Sequence, residues 1–472
     1  MSLFRPNSVA SIFGSRGSAV LNLVKPIFRL AYRSSRWTNG LLSRTERRLT
    51  KPGIAVGIGV LIAGMMSADT ENNVAYQAFS ILLSILVISG LFSFVLRTNF
   101  NVVRRLPRFG TVGCPLVYSV VVQNTSAKSQ AGLTLRDEPD NPSPGFEEWL
   151  EARREADRRV NSFRVSSRLS FDPFRPVKIA ETSIAPISAG QESQVLLEFI
   201  PNRRGLFRFK GATIGRLDPL GLTKALRFVA LPQSVLILPK RYRLPSVPLR
   251  GGMKYQPGGV ALASSVGQSH EYMALRDYRP GDPLRHIHWR SWAKVGKPVV
   301  KEFEDEFFVR HALVLDTFTE SEHSELFEEA VSVAASFACT VQTQESLLDL
   351  LLVGNSSYYF SSGRSLGYAD QMLEILASAQ TCVGRPFSSL EHLVLEHVRV
   401  MSGCIFVLMA WDEPRRRLVS KIRALGLPVI AMVITDSGMG GKDRNGTGVQ
   451  AAEPVHWLEL GRIEAGLAQL SA

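Results

Sequence analysis

Cysteine is scarce in this chain. Four residues (Cys114, Cys339, Cys382 and Cys404) are scattered over 472 positions with no Cys-x-x-Cys pair. That spacing argues against a disulfide scaffold and against a zinc ribbon. Glycine and proline (37 and 25 residues) show no period, which excludes a collagen-like chain. Nor is apolar material short: a 45% hydrophobic share against 21% charged excludes a mainly disordered chain. The length implies roughly two to four folding units.

A formal net charge of +13 looks like a nucleic-acid signal until it is located. Residues 1–51 carry eight Arg and two Lys against the single acid Glu46, a net +9, which leaves +4 for residues 52–472. The basic excess is therefore mostly a tail, and the apolar segments after residue 51 give that tail its meaning. Pro52 to Ala68 is a 17-residue stretch without a charge, and Val74 to Leu96 is a second of 23, separated by the polar break Asp69–Asn73. At 1.5 Å per residue the second stretch spans a ~30 Å hydrocarbon core, while the first stands at the short limit. Because the first run begins only after fifty residues and a second comes directly after it, a cleaved signal peptide fits poorly. Arg44, Arg47, Arg48 and Lys51 precede the pair, Arg97, Arg104, Arg105 and Arg108 succeed it, and the connection holds only Asp69 and Glu71. The positive-inside rule then predicts a two-pass anchor in the cell (inner) membrane, with both termini and the soluble domains cytoplasmic. Gly53 and Gly57 form a GxxxG pair that would let the helices approach closely. The tail suits an anionic leaflet better than a nucleic acid, so the lipid bilayer is the expected partner.

From Phe100 to about Lys240 the pattern changes to short alternating runs. Leu116–Asn124, Val195–Ile200, Phe207–Ile214 and Val235–Leu238 are predicted strands separated by Pro, Gly and Asn. Their spacing predicts a small β-sandwich of immunoglobulin type over 98–240. Residues 139–178 interrupt it as an exposed, partly helical insertion with charges at helical spacing. From His311 the period changes again. Strands at Ala312–Asp316, Leu348–Val353, Cys404–Met409, Val429–Ile434 and Val455–Leu458 alternate with helices at Leu326–Val341, Tyr368–Ala379, Leu390–Met401 and Pro414–Leu425. That alternation predicts an open, largely parallel, doubly wound sheet over 309–472. Sites in such sheets form at the carboxyl ends of strands, where Asp316, Asp412 and Asp436 fall. The fold class expected is thus a multidomain, membrane-anchored α+β chain. Its parts are a basic tail (1–51), a transmembrane helical hairpin (52–97), a β-sandwich, a joining segment (241–308) and a doubly wound α/β domain.

The joining segment contains His270-Glu-Tyr-Met-Ala-Leu-Arg-Asp-Tyr-Arg-Pro-Gly-Asp-Pro-Leu-Arg-His-Ile-His-Trp-Arg290 and then Pro298-Val-Val-Lys-Glu-Phe-Glu-Asp-Glu306. Glu271, Tyr272, Leu275, Arg276, Tyr278, Pro280, Gly281, Asp282, Arg285, Ile287, Trp289, Lys301, Glu302 and Glu304 match the signature of the family catalogued as domain of unknown function 58, and the segment resembles that family closely. Arg203-Arg-Gly205 and Asp218-Pro-Leu-Gly-Leu222 extend the resemblance into the β domain, while the basic tail and the insertion fall outside it. The resemblance implies a two-span anchor and a carboxyl-terminal von Willebrand factor A-like fold. It also implies work beside a MoxR-type AAA+ ATPase, in a chaperone-like role linking the ATPase to an unknown client.

Pro280-Gly281-Asp282 is a turn sequence, and Asp282 is placed to bond backbone amides or to pair with Arg285. Arg276, Arg285, Glu271 and Asp277 are expected either to brace the segment against the α/β sheet, with Trp289 and Trp292 packed inside, or to form a docking surface of the Arg- and Trp-rich kind. His286 and His288, two apart, would share one side of a strand and invite a zinc reading, which the resemblance opposes. Metal-binding A domains continue the first strand with Asp-x-Ser-x-Ser; here Asp316 survives, but Phe318 and Glu320 replace the two serines. With Asp412 as the second acid, the site is expected to be degenerate and to hold no metal. Gly438-Met-Gly-Gly-Lys442 lacks the full phosphate-loop pattern, and Gly267-Gln-Ser269-His270 lacks the last glycine of a nucleophile elbow. No catalytic constellation, cofactor or nucleic-acid site is expected. The leading expectation is a membrane-anchored adaptor. The alternatives are a hydrolase-like enzyme using Asp277, Asp282 and His288, or a metal-dependent adhesion module.

Overall fold

The structure, a computed structural model, describes residues 48–67, 73–95, 99–140, 145–148, 177, 179–245, 272–282, 284–303, 309–319, 324–340, 346–354, 356–361, 367–436 and 455–471. Residues 1–47 of the tail, most of the 139–178 insertion, the glycine-rich 438–442 stretch and the signature residues Glu271 and Glu304 lie outside them. The chain divides into two compact units, at Leu238/Pro239.

The first unit opens with helices α1 (Lys51–Met66) and α2 (Asn73–Val95). Thr50 caps α1, its Oγ1 accepting from the Gly53 amide at 3.1 Å, and Pro52 sits in the first turn, where no hydrogen bond is lost. Both helices expose apolar side chains around their surface, among them Leu61, Met65, Val74 and Leu91. A helix in water would turn such residues to a core. Among the described residues only α2 is long and apolar enough to cross a membrane, over Val74–Phe92. Sixteen residues of α1 extend about 24 Å, short of the ~30 Å hydrocarbon thickness. The close approaches between the helices are at Gly59 against Leu82 and Gly64 against Phe79. The expected Gly53/Gly57 pair is not the seam: Gly53 faces the carbonyl of Leu222, and Gly57 faces open space.

Eight strands come next: β1 (Phe100–Arg105), β2 (Phe109–Thr111), β3 (Leu116–Asn124), β4 (Leu133–Pro139), β5 (Thr182–Ile184), β6 (Glu192–Phe199), β7 (Gly205–Leu217) and β8 (Lys224–Leu238). They form a three-stranded sheet, β1-β3-β6, and a five-stranded sheet, β2-β8-β7-β4-β5. Alternate residues of β3 are buried, the period-2 signature of a strand with one face on a core. Val120, Val122 and Leu197 of the smaller sheet share a single core with Leu135, Ile214 and Ile237 of the larger. Inside this unit lies an ion pair that the charge pattern did not anticipate. Arg104, counted among the charges flanking the second apolar run, is 3% exposed. Its Nε donates to Asp137 Oδ2 at 2.8 Å, Nη2 pairs with Oδ1, and the guanidinium lies 4.4 Å from the Phe209 ring centroid. Tyr118 donates to the same carboxylate at 2.7 Å, and burial together with that negative neighbour drives its phenol far above its ordinary pKa. Arg104 is therefore not an interfacial charge; Arg105 and Arg108 are exposed.

In the second unit β9 (Tyr272–Asp277) pairs antiparallel with β10 (Val299–Phe303), and between them come a 3-10 turn (Leu284–His286) and helix α3 (Trp289–Val295). The chain continues through β11 (Val309–Leu315), α4 (Glu325–Thr340), β12 (Ser346–Val353), β13 (Ser357–Ser361), α5 (Gly367–Ser378), α6 (Ser388–His397), β14 (Gly403–Leu408), α7 (Glu413–Ala424), β15 (Val429–Thr435), β16 (Val455–Glu459) and α8 (Ile463–Ala468). The six-stranded sheet runs β13-β12-β11-β14-β15-β16, parallel except for the antiparallel edge strand β13. Helices cover both faces. Leu390 and Val394 of α6 and Leu418 and Ile422 of α7 share one core with Val314, Phe406 and Ala431, while α4 packs across β11, β14 and β15 outside that core. Both faces being covered, β14 is buried along its whole length, as a central parallel strand should be.

Candidate functional site

After β11 the chain builds β12 and β13 on one side, then returns past β11 to start β14 on the other. The gap between the ends of β11 and β14 is thus the topological switch point, where open α/β sheets place their crevice. Asp316 stands at the end of β11, and Asp412 caps the start of α7, after β14. Asp316 is fully buried, and its carboxylate accepts from the Phe318 amide at 3.0 Å and the Met409 amide at 3.1 Å. A third partner comes from α7. Arg415 donates from Nε to Asp316 Oδ2 at 2.7 Å and from Nη2 to Oδ1 at 3.2 Å, while Nη1 reaches Asp412 Oδ2 at 2.6 Å.

The switch point is therefore filled by the chain's own cation. Arg415 is 6% exposed. Burial works against its charge, but Asp316 and then Asp412 outweigh that and hold its pKa above the ordinary value. The Phe387 ring lies 4.8 Å from the guanidinium, and Phe318 packs edge-on against Phe387 at 5.5 Å. Phe318 thus walls the crevice with carbon where a hydroxyl would be a ligand. Asp412 caps α7, accepting from the Arg415 amide at 3.3 Å, so its carboxylate is shared between helix start and guanidinium. Among the described residues no three His, Cys, Asp or Glu side chains converge as metal ligands. Asp436 comes after β15 and lies apart from this pair in the sheet order. In the sequence Arg415 reads as one of several cations on a basic helix. The overlooked signal is its place three residues after Asp412, one helical turn into a capped start.

In the signature segment, β9 and β10 form a ribbon that pairs Arg276 with Val300 and Leu275 with Lys301. Tyr272 and Glu302 lie in its strands. The turn at Pro280-Gly281-Asp282 uses Gly281 at φ 106°, a conformation that side chains disfavour. Asp282 does not pair with Arg285. It takes two bonds of 2.7 Å from Arg276 and one of 2.8 Å from the Arg279 amide. Those hydrogen bonds, Arg276's first, lower its pKa to about 2. The Tyr278 amide donates to the Pro298 carbonyl at 2.9 Å, closing the base of the turn.

Nor do His286 and His288 share one side of a strand, since one ends the 3-10 turn and the other starts α3, its Nδ1 2.7 Å from Ser291 Oγ. Ile287 between them is the buried anchor, 6% exposed and bridged to Val300. The expectation of Trp289 as a packed core residue is overturned: it is 64% exposed and stacks on Trp292 at 5.2 Å. Leu284 (67%) and Val295 (62%) are exposed on the same short stretch, and so is Arg285.

Residues 274–411 match the family model described as "Protein of unknown function DUF58". Over those residues the chain is similar to the DUF58 family. The DUF58 match begins within β9 and ends at Trp411, so it includes Asp316 and stops just short of Asp412 and Arg415. A relative in Bacillus subtilis (strain 168), "Uncharacterized protein YeaD", is 28% identical over 187 residues, which is 39% of this chain. The alignment spans 45% of that relative's own length. Among solved structures, the CARDB domain of the PF1109 protein from Pyrococcus furiosus covers 30% of this chain and 89% of that one, at 13% identity and a TM-score of 0.18. The ASH/PapD-like domain of human CEP192 covers 30% and 86%, at 9% identity and a TM-score of 0.18. Overlaps of that size do not define a fold.

Proposed function

We propose that this protein is a two-pass, membrane-anchored adaptor. Its soluble domains, a sandwich of immunoglobulin type and a von Willebrand factor A-like sheet, lie in the cytoplasm. There they dock a MoxR-type AAA+ ATPase and present it to a protein client. The observation that carries this reading is the exposed Trp289, stacked on the half-buried Trp292, beside the exposed Arg285. Aromatic and Arg side chains dominate binding energy at interfaces, and Trp289 leaves most of its surface available to a partner. The switch-point crevice supports a partner role without metal, because Arg415 already neutralises Asp316. A hydrolytic reading is disfavoured by Asp282, a carboxylate held at about 2 and too weakly basic to take a proton near neutrality.

The test pairs thermal melting of Trp289→Ala and Arg285→Ala with co-purification of the ATPase from cells. Loss of the ATPase with an unchanged melt supports docking. Full capture of the ATPase by both variants defeats it.

A further inference from the structure

The loop between β7 and β8, Asp218-Pro-Leu-Gly-Leu-Thr223, is built unlike an ordinary hairpin turn. Its charged and hydroxyl groups are buried, while Pro219 and Leu220 at its tip are exposed. Asp218, 4% exposed, accepts from Ser89 Oγ of α2 at 2.8 Å, from the Thr223 amide at 2.8 Å and from the Leu220 amide at 3.2 Å. Thr223 Oγ1 also bonds Ser89, which is fully buried beneath the loop. On the other side the loop grips the start of α1: Thr50 donates from Oγ1 to the Gly221 carbonyl at 2.6 Å and from its amide to the Leu222 carbonyl at 3.0 Å. A Cβ on Gly53 would stand 2.1 Å from the Leu222 carbonyl oxygen, so only glycine admits this approach. Outward, Leu217 (38%) and Leu220 (49%) are exposed, as are Ile54, Leu91 and Phe92 on the neighbouring helices.

These bonds fix a depth. The apolar stretch of α2 ends at Phe92, so Ser89 lies three residues inside it, about 4.5 Å of helix rise. A loop bonded to Ser89 stands at that level, the depth at which interfacial segments bury apolar side chains. A carboxylate there must have its hydrogen bonds satisfied within the protein, and Asp218 has three. Arg48 and Lys51 are exposed at the start of α1, beside the loop's grip on Thr50, and suit anionic headgroups.

We infer that the Leu217–Leu220 tip is a membrane-interface wedge that inserts among anionic lipid headgroups and clamps the β domain to the bilayer at both helices. This rests on the membrane reading of α2. The experiment uses the full chain with Cys114 and Cys339 replaced by serine, reconstituted in vesicles of phosphatidylglycerol and phosphatidylethanolamine. A fluorophore is attached in turn at Leu220→Cys, at Leu83→Cys in α2 and at Leu196→Cys, an exposed position on the other sheet. Each is challenged with aqueous iodide and with lipids carrying a shallow or a deep nitroxide. The wedge predicts nitroxide quenching at 83 and 220, with loss of iodide quenching at 220 relative to 196. Lipid quenching at 83 with iodide access at 220 equal to that at 196 overturns the wedge and leaves the membrane reading standing. No lipid quenching at 83 defeats the membrane reading, and the wedge with it.

Discussion

Arg415 donates to Asp316 at 2.7 Å across the switch point of the sheet, so a guanidinium from α7 sits against the carboxylate that ends β11. The pair is 99 residues apart in sequence, and no part of the bond is local. It gives the crevice a fixed cation and leaves Asp316 without a vacancy for another.

Breaking that pair from one side strands a buried charge. Arg415→Ala should lower stability by about 3–5 kcal/mol, while Arg415→Ala combined with Asp316→Ala should recover part of the loss. Denaturant melts of the four proteins of the cycle check this. In calorimetry, magnesium or manganese should bind the native protein weakly at most; tight binding abolished by Asp316→Ala would refute the role given to Arg415.

The buried Arg104–Asp137 pair makes a parallel prediction for the β unit. Asp137→Ala leaves Arg104 unpaired among Phe209 and Tyr118 and should cost about 3–5 kcal/mol. Tyr118→Phe removes one hydrogen bond to the carboxylate and should cost about 1–3 kcal/mol. Equal, small losses for both would show the pair to be solvated.

His311 sets an acid limit on the second unit. It is 2% exposed, and burial lowers its pKa to about 4, below the ordinary value of about 6.5. Between those values the unfolded chain binds a proton that the folded chain refuses. Stability from this group is therefore complete above about pH 6.5 and is lost as pH falls toward 4, by about 3 kcal/mol. Asp349, its pKa raised chiefly by burial, acts in the opposite sense as it protonates. The pH dependence of unfolding should flatten across this window in His311→Leu.

The proposed topology places Glu71 outside the cytoplasm and the β unit inside it. Cys114 is exposed on that unit. An impermeant thiol reagent applied to intact cells should label a Glu71→Cys variant and spare Cys114 until the cells are opened. The reverse pattern would invert the topology.

Much of this protein is legible in its residue order because its elements answer to local rules. Alternation places β3 at Leu116–Asn124, and the apolar run before Asp316, with the helix and strand periods after it, gives the wound sheet nearly element by element. Fixed spacing over the signature points to the family whose model matches residues 274–411. Residue order could not say where a charge would go. Arg104 reads as a membrane flank and is buried against Asp137; Arg415 lies in a helix with other cations and closes the switch point; Trp289 fits either a packed brace or a docking surface and is exposed. Each outcome depends on which distant residue folding brings within about 3 Å, and an ion pair's strength depends on burial that no local window records. Periodicity determined the elements; packing alone decided which charges met.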